Sequence, residues 1–328
     1  TRPDSLAARQ SVLQAASALV GTIRSLYNNW NTLQTQLQQR MTETIREANE
    51  IAAQLARLNE QIRAAYSGGA EASDLLDQRD RLMTRLSELV GARAHYSNDG
   101  SLMVFVDGHT LVQDSASFPL PLSIDVPNRD LDSSPVDIRI QSGQLRGLMD
   151  ASANLQEYLN RLNLFTSTLI TEVNALHQTG FDLDGNTGWL FFDGTDASNI
   201  ALHSDISDPR RIAASGVAGA PGNNGIALAL VNLRNQPLGA LGGMTLPQYY
   251  NSLVGQIGND ARVSRNRAES QQLTLEHLYQ IRESVSGVSL DEEAANLVKF
   301  QRSYQAAAKV ISTFDSLIQD VLQFVAPR

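Results

Sequence analysis

The hydrophobic pattern of the first ninety residues predicts two long helices that pack side by side. Apolar residues recur every seven positions in two neighbouring rows, which are Leu6, Leu13, Val20 and Tyr27, and Ala16, Ile23, Trp30 and Leu37. After a shift of phase the stripe continues to the turn at Ser67-Gly68-Gly69, through Met41, Ile45, Ala48, Ala52, Leu55, Leu58 and Ile62. This spacing is typical of one very long helix or of two nearly collinear helices. A second helix over 72–90, with Leu82, Met83, Leu86 and Leu89 on one side, predicts an antiparallel hairpin.

Two segments with a different pattern interrupt the helices. In 96–143, two short β-runs flank Asp107-Gly108, which is a strong hairpin signal, and a further strand is predicted at 136–140. The second segment, 181–245, is rich in Gly, Asn and Asp, with β-like pieces around 189–192 and 200–203. Between them a leucine repeats at every seventh position, at Leu148, Leu155, Leu162, Leu169 and Leu176, and predicts a helix over 144–180. Helix resumes at Leu246.

The last segment carries the most regular apolar stripe of the chain. Ser289-Leu-Asp-Glu292 fits a capping box and predicts that a helix begins there. Beyond it, apolar residues stand at strict intervals of seven, at Leu290, Leu297, Tyr304, Ile311, Ile318 and Val325. A companion row follows three residues after, at Phe300, Ala307, Phe314 and Val321. A 3.5-residue repeat sustained over five heptads predicts the seam of a left-handed coiled coil.

This stripe has two interpretations. It could pack against the first helix of its own chain, which offers a matching seam. However, a helix over 289–325 would be about 55 Å long, which exceeds the width of a compact domain, so its far end would stay uncovered in a lone subunit. We therefore predict a partner-binding surface made of Leu290, Leu297, Phe300, Tyr304, Ile311, Phe314, Ile318 and Val321.

These patterns together predict a mainly α fold with β insertions (α+β). Its centre is an elongated long-helix bundle or coiled-coil core, built from 1–95, 144–180 and 246–288. A β-rich insertion occupies 96–143, a loop-rich or β insertion occupies 181–245, and 289–328 forms an axial coiled-coil helix.

Composition narrows the range of partners. The chain has 26 basic and 35 acidic residues, a net charge of −9, and no basic block, which argues against nucleic acid as a partner. No apolar run is long enough for membrane insertion. The absence of cysteine excludes disulfides and thiolate metal sites.

The candidate chemistry is sparse, and we predict no enzyme activity and no cofactor. The five histidines are scattered, without metal-ligand spacing on a helix. One loop partly fits a calcium motif, with Asp182, Asp184, Asn186 and Asp193 at positions 1, 3, 5 and 12. The usual Gly at position 6 is Thr187 and the last ligand is not Glu, so we favour a plain turn before a buried strand.

The segment from Ser286 to Leu322 resembles the C-terminal signature of bacterial flagellar axial proteins. It includes the run Ser289-Leu-Asp-Glu-Glu-Ala-Ala-Asn-Leu-Val-Lys-Phe-Gln-Arg-Ser-Tyr304. Within that class, the hook-associated proteins are the most similar, through Leu76-Asp-Gln-Arg-Asp-Arg-Leu82 and Gly185-Asn-Thr-Gly-Trp-Leu-Phe-Phe-Asp193. Pro3-Asp-Ser-Leu-Ala-Ala-Arg-Gln-Ser-Val-Leu13 resembles the opening of their long helix.

The resemblance implies a structural role at the junction of flagellar hook and filament. The implied partners are neighbouring copies of the chain, the hook protein, the next hook-associated protein, and a cytoplasmic export chaperone on the C-terminal helix. The implied location is the extracellular flagellum, reached by type III export without a cleaved signal peptide. The family also carries an amphipathic N-terminal helix that nothing before Thr1 matches, so we expect an N-terminally truncated fragment. A type III-secreted translocator and a coiled-coil adhesin are the alternatives.

Overall fold

The computed structural model describes residues 2–69, 72–97, 100–126, 128–131, 138–286 and 290–325. The side chains described exclude 285, 286, 290–293 and 314–325. The described ranges contain six α-helices, which are α1 (Leu6–Ser67), α2 (Ser73–Val90), α3 (Gly143–Gln178), α4 (Gly225–Leu233), α5 (Leu246–Ser286) and α6 (Leu290–Val325). The prediction of a mainly α fold with β insertions is confirmed.

The strands of the described ranges are short and all antiparallel. They are β1 (Arg93–Tyr96), β2 (Leu102–Val106), β3 (His109–Gln113), β4 (Ala116–Ser117), β5 (Ile124–Asp125), β6 (Asp130–Leu131), β7 (Ile138–Arg139), β8 (Phe192–Asp193) and β9 (Ala201–Leu202). They form one sheet in the order β1-β2-β3-β4, a second in the order β5-β6-β7, and the pair β8-β9.

The chain divides into two compact units, residues 1–257 and 258–328. Helix α5 begins in the first unit and continues into the second. The first unit holds all of the strands and the buried core described below. None of the helices in the described ranges combines the length and apolarity that crossing a bilayer requires.

The first helix is continuous, and its second half forms the largest hydrophobic cluster with α2. Ser5 caps α1, because its Oγ accepts a hydrogen bond from the N–H of Ala8 at 3.4 Å. Met41, Ile45 and Leu55 of α1 are fully buried, and Leu86 and Leu89 of α2 pack in the same cluster. The predicted α1–α2 hairpin is therefore present. The two helices are also joined on the surface by an ion pair of 2.8 Å between Arg85 and Glu47.

The predicted hairpin at Asp107-Gly108 connects β2 and β3. Both turn residues have positive φ, 45° and 83°, as a two-residue hairpin turn of the primed type requires. The inward-facing residues Val104, Leu111 and Val112 join the core that α1 and α2 form. Strand β1 starts at Arg93, so this sheet extends across the predicted boundary at 95/96. Of the strand predicted at 136–140, Ile138–Arg139 is present, and 136 and 137 lie outside the described residues.

Asparagine side chains on the helices attach both insertions to the core. Asn59 on α1 is fully buried; its Nδ2 donates to the carbonyls of Leu102 and Asp114, and its Oδ1 accepts from the N–H of Leu102. Asn49, ten residues earlier, exchanges two hydrogen bonds with the backbone of Leu120. Each amide pairs with backbone as a neighbouring strand would, so the insertion is fixed in register against α1.

Helix α3 is the centre of the other half of the first unit. Its residues Leu162, Leu169 and Ile170 pack with the first turns of α1, including Leu13 and Val20. Phe165 and Val173 pack against this cluster and also, together with Leu176, against a small cluster made of Leu233, Leu238, Leu241 and Tyr249. The leucine repeat of α3 thus contributes to both clusters.

The 181–245 segment differs from its prediction in two respects. The run 189–192 was predicted as strand, but only Phe192 lies in one. The reason is that Asn174 of α3 accepts hydrogen bonds from the N–H groups of Phe191 and Phe192 and donates one to the carbonyl of Phe192. Helix α4 was not predicted at all. Its nine residues are too few to show a helical period, and the Gly and Asn around it favoured a loop.

Candidate assembly surface

The described residues of the second unit are helical, and they carry an apolar stripe that they do not themselves cover. All of the described side chains of α6, residues 294–313, are exposed. Among them, Leu297 is 68% exposed, Phe300 73%, Tyr304 78% and Ile311 63%. The spacing of three, four and seven places these four on one face of the helix. They are therefore a continuous apolar surface in the isolated chain.

Four further residues of the predicted surface lie outside the described side chains. Leu290, Phe314, Ile318 and Val321 fall within the bounds of α6, so their places on the helix follow from the spacing alone. The predicted cap, Ser289, lies outside the described residues.

The continuation of α5 in the second unit exposes a second set of apolar residues. These are Leu273 (66% exposed), Leu275 (54%), Leu278 (54%), Tyr279 (60%) and Ile281 (46%). The sequence pattern predicted this segment as part of the helical core, and these residues were not predicted as a binding surface. The spacing of these residues gave no signal for a single binding face, since at 100° per residue they are spread around the helix.

The chemistry that this surface offers is burial of apolar area. Removing apolar surface from water is worth about 25 cal/mol per Å², and a fully buried Leu or Phe side chain about 1.5–3 kcal/mol. Lys299, Arg302 and Lys309 are exposed and lie on the far side of the helix from this stripe, so they stay solvated when the stripe is covered. The surface is suited to helix–helix packing and presents no nucleophile paired with a base.

The calcium-loop candidates are not arranged as a ligand set. Asp182 is buried, and its Oδ1 accepts from the backbone N–H groups of Asp184 and Asn186 at 2.8 Å, while its Oδ2 accepts from the indole N–H of Trp189 at 3.1 Å. Its oxygens are thus engaged in shaping the turn. Within the described ranges, no group of three His, Cys, Asp or Glu side chains is placed to hold a metal ion.

The other two acidic candidates have partners of their own. Asp184 forms an ion pair and a hydrogen bond with Arg210, and this hydrogen bond lowers the pKa of the Asp184 carboxyl. Asp193 lies in β8, 3.8 Å from the Nε2 of His203. The sequence favoured a plain turn at this loop, and residues 183–184 form a turn.

A buried polar network connects α1, α3 and this turn. The side chain of Arg9 is 4% exposed, and its Nε donates to the carbonyl of Pro3 at 2.6 Å, while Nη1 donates to the carbonyls of Pro209, Arg210 and Ile212. His177 is fully buried, and its Nε2 accepts from the N–H of Ala213 at 2.9 Å. Its Nδ1 therefore carries the proton and donates to the carbonyl of Trp189 at 2.7 Å.

This network fixes a neutral histidine in the core. Burial is the main cause that lowers the pKa of His177, and the nearby Arg9 cation lowers it further, against the opposing effect of the Trp189 carbonyl. Burial likewise lowers the pKa of Arg9. The polar atoms of both side chains form hydrogen bonds with backbone groups, and these bonds hold the 209–213 segment against α1 and α3.

Two parts of the chain match known protein families. Residues 1–192 match the family described as the flagellar hook-associated protein FlgK helical domain. Residues 282–324, which include nearly all of α6, match the family described as the flagellar basal body rod FlgEFG protein C-terminal.

Individual relatives agree over most of the chain. It is similar to flagellar hook-associated protein 1 of Salmonella typhimurium, with 26% identity over 96% of this chain and 76% of that protein. The protein of the same name from Bacillus subtilis is 25% identical over 96% of this chain and 71% of its own length. A solved structure, the flagellar hook junction protein FlgK from Burkholderia pseudomallei, matches with 27% identity and a TM-score of 0.50 over 58% of this chain and 37% of that one.

Proposed function

Since the chain belongs to the FlgK family of flagellar hook-associated proteins, we propose that it joins the hook to the filament of the bacterial flagellum as a structural subunit. In this role the chain transmits force and performs no chemistry. The observation that carries the proposal is the exposed apolar stripe of α6, which coincides with the segment 282–324 that matches a flagellar axial family.

The same stripe supports assembly through coiled-coil packing. In the assembled flagellum, α6 packs with the terminal helices of the same or neighbouring subunits, so that Leu297, Phe300 and Tyr304 leave water. An interface with several such residues at its centre gains its stability chiefly from these few side chains. The partners on either side of the junction are the hook protein and the next hook-associated protein.

The route to the flagellum is part of the proposal. The chain is exported by the flagellar type III apparatus without a cleaved signal peptide, and a cytoplasmic chaperone binds α6 beforehand. The physical reason is that an exposed stripe of this size favours aggregation in the cytoplasm unless a partner covers it. Chaperone and neighbouring subunits then use the same face in succession.

The experiment is deletion of the gene in its motile host. We expect non-motile cells whose hooks are intact, whose filaments are missing and whose flagellin is released into the medium. Expression of the full chain in the same cells should restore filaments. Deleted cells that still carry filaments of normal number would refute the junction role.

A further inference from the structure

Two stretches of the first unit carry almost no charge, although at least half of the residues in each are exposed. Residues 10–39 contain one charged residue, Arg24, and residues 212–257 contain one, Arg234. The chain as a whole is 19% charged, so about six and about nine charges would be expected there. Burial does not explain the difference, because only four residues of 10–39 are buried. Depletion of charge on an exposed face is typical of the centre of a protein–protein interface.

Each of these stretches also exposes apolar side chains. On α1 they are Val12 (48% exposed), Leu19 (42%) and Leu33 (44%), at intervals of seven and fourteen residues. Leu26, which stands between the last two, packs against the cluster that α1 forms with α3. In the second stretch they are Val217 (53%), Leu228 (50%), Val231 (65%), Tyr250 (50%) and Val254 (49%). Helix α4 is unusual in this respect, because eight of its nine residues are Gly, Ala or aliphatic and only Leu233 is buried.

The two faces lie on different sides of α3. On one side, Ser152 of α3 accepts a hydrogen bond of 2.7 Å from Gln34 of α1. On another side, Arg161 of α3 donates to Ser252 of α5 at 2.6 Å. Ser152 and Arg161 are nine residues apart, which is about half a turn around the helix surface. Helices α1 and α5 therefore contact α3 from different sides. Tyr250 also touches Phe165 of α3, whereas Val231 is the most exposed residue of the second face.

We propose that these two faces bind each other between copies, so that α1 of one subunit packs on the 212–257 face of the next. The proposal rests on the proposed function, since it names the surface through which neighbouring subunits of one ring meet. Two different patches on separate sides of one unit form a head-to-tail interface, which closes into a ring or continues as a helix.

The charge distribution favours a second copy over the second unit as the occupant. Residues 258–328 carry 17 charged residues in 71, which exceeds the average of the chain. Burying such a surface against an uncharged apolar face would leave charges desolvated and unpaired. The α1 face and the 212–257 face hold only one charged residue each, so their contact would bury little charge.

Site-specific cross-linking in assembled flagella tests the contact, because the chain has no cysteine of its own. The full chain, expressed in the deletion strain, carries Val231→Cys together with one of Val12→Cys, Leu19→Cys or Leu33→Cys. These three positions sample about 30 Å along α1, so the register need not be known beforehand. Isolated hook–filament structures are treated with a bis-maleimide and separated on a denaturing gel.

We expect at least one double variant to give a ladder of covalent multimers, with a yield at least tenfold above that of either single variant. The matched control pairs Val231→Cys with Leu122→Cys, because Leu122 is 51% exposed but lies outside both faces, and it should give no ladder. Leu228→Asp, added to the cysteine pair that cross-links, should abolish the ladder, because Leu228 is 50% exposed on the same face as Val231. Leu122→Asp, added to the same pair, should not.

Motility separates this inference from the proposed function. If cells expressing the double variants are motile and build filaments, yet none of the three pairs gives multimers, the contact is wrong and the junction role stands. Dimers from a single-cysteine variant, or adducts only to another protein, would likewise overturn it. If the deletion strain keeps its filaments, the proposed function itself fails.

Discussion

Three asparagine side chains on helices form hydrogen bonds with backbone N–H and C=O groups, as a neighbouring β-strand would. Asn49, Asn59 and Asn174 each use the amide N–H₂ and the carbonyl oxygen to pair with backbone of an inserted segment. A buried amide that loses this pairing leaves backbone donors and acceptors unsatisfied, which costs about 1–3 kcal/mol per group. Nothing in the sequence distinguishes these residues from the exposed asparagines of the same helices, so this part of the fold could not be predicted.

Asn59→Ala should lower the free energy of unfolding by about 2–4 kcal/mol. The reason is that the N–H of Leu102 and the carbonyls of Leu102 and Asp114 lose their hydrogen-bond partner in the core. Chemical denaturation of the purified chain measures the change. Asn31→Ala is the matched control, since Asn31 is exposed on α1, and it should shift stability by less than about 0.5 kcal/mol. Equal effects of the two substitutions would contradict the role assigned to Asn59.

His177 should make the stability of the first unit sensitive to acid. Its pKa in the folded chain is lower than the ordinary value of about 6.5, so the unfolded chain binds more protons in the window between the two values. The stabilising contribution is therefore complete above about pH 6.5 and is lost as the pH falls below it. His177→Gln should remove this part of the pH dependence in urea unfolding between pH 8 and pH 5.

His277→Gln serves as the control for that experiment, because His277 is exposed on α5. It should leave the pH dependence of unfolding unchanged. A His177→Gln chain whose unfolding free energy falls with acid as steeply as that of the unchanged chain would show that His177 titrates normally.

At the scale of the elements, periodicity predicted the long helices, and local chemistry determined where they meet. The heptad rows of α1, α3 and α6 were sufficient to predict these helices, since a stripe of this length has few alternative structures. The prediction failed at α4, where nine residues give too short a pattern. It also failed at 189–191, where Asn174 overrides strand propensity. The partner-binding role of the α6 residues stays a prediction, because the sequence shows an apolar stripe and does not show which helix packs against it.

The end of α2 and the start of α3 meet through two glycines with positive φ. A Cβ on Gly143 would lie 2.7 Å from the N of Gly91 and 2.8 Å from the carbonyl oxygen of Leu89. A side chain there would push the two helix ends apart. This contact is a feature that spacing in the sequence cannot show, because it depends on how closely two backbones approach.

Gly143→Ala should therefore destabilise the chain by about 2–4 kcal/mol, through backbone strain and steric overlap. Gly147, one turn further along α3, has no atom within 4 Å of its would-be Cβ. Gly147→Ala should instead raise stability by about 0.5–1 kcal/mol, since Ala favours helix more than Gly. Thermal unfolding distinguishes the two, and a stable Gly143→Ala chain would disprove the close contact.

In the whole molecule, the α6 stripe belongs to the second unit, whereas the buried clusters and the two faces proposed for the contact between copies belong to the first. The first unit holds the hydrophobic clusters, the asparagine pairs and the buried polar network, all of which stabilise one chain by itself. The second unit keeps its described apolar residues on the surface, where they are available to other chains. Damage to the second unit should therefore abolish assembly and leave the fold of the first unit intact.

The double variant Leu297→Asp/Phe300→Asp, expressed as the full chain in the deletion strain, tests this account most directly. Ala306→Asp is its control, because Ala306 is exposed on the opposite face of α6 and Asp costs more helix propensity there than at Leu297 or Phe300. Electron microscopy counts filaments per cell, and circular dichroism of the purified chains confirms equal unfolding of the first unit. We predict at least a tenfold loss of filaments for the double variant and near-normal numbers for Ala306→Asp. Normal filaments in the double variant would contradict the claim that the α6 stripe is the assembly surface.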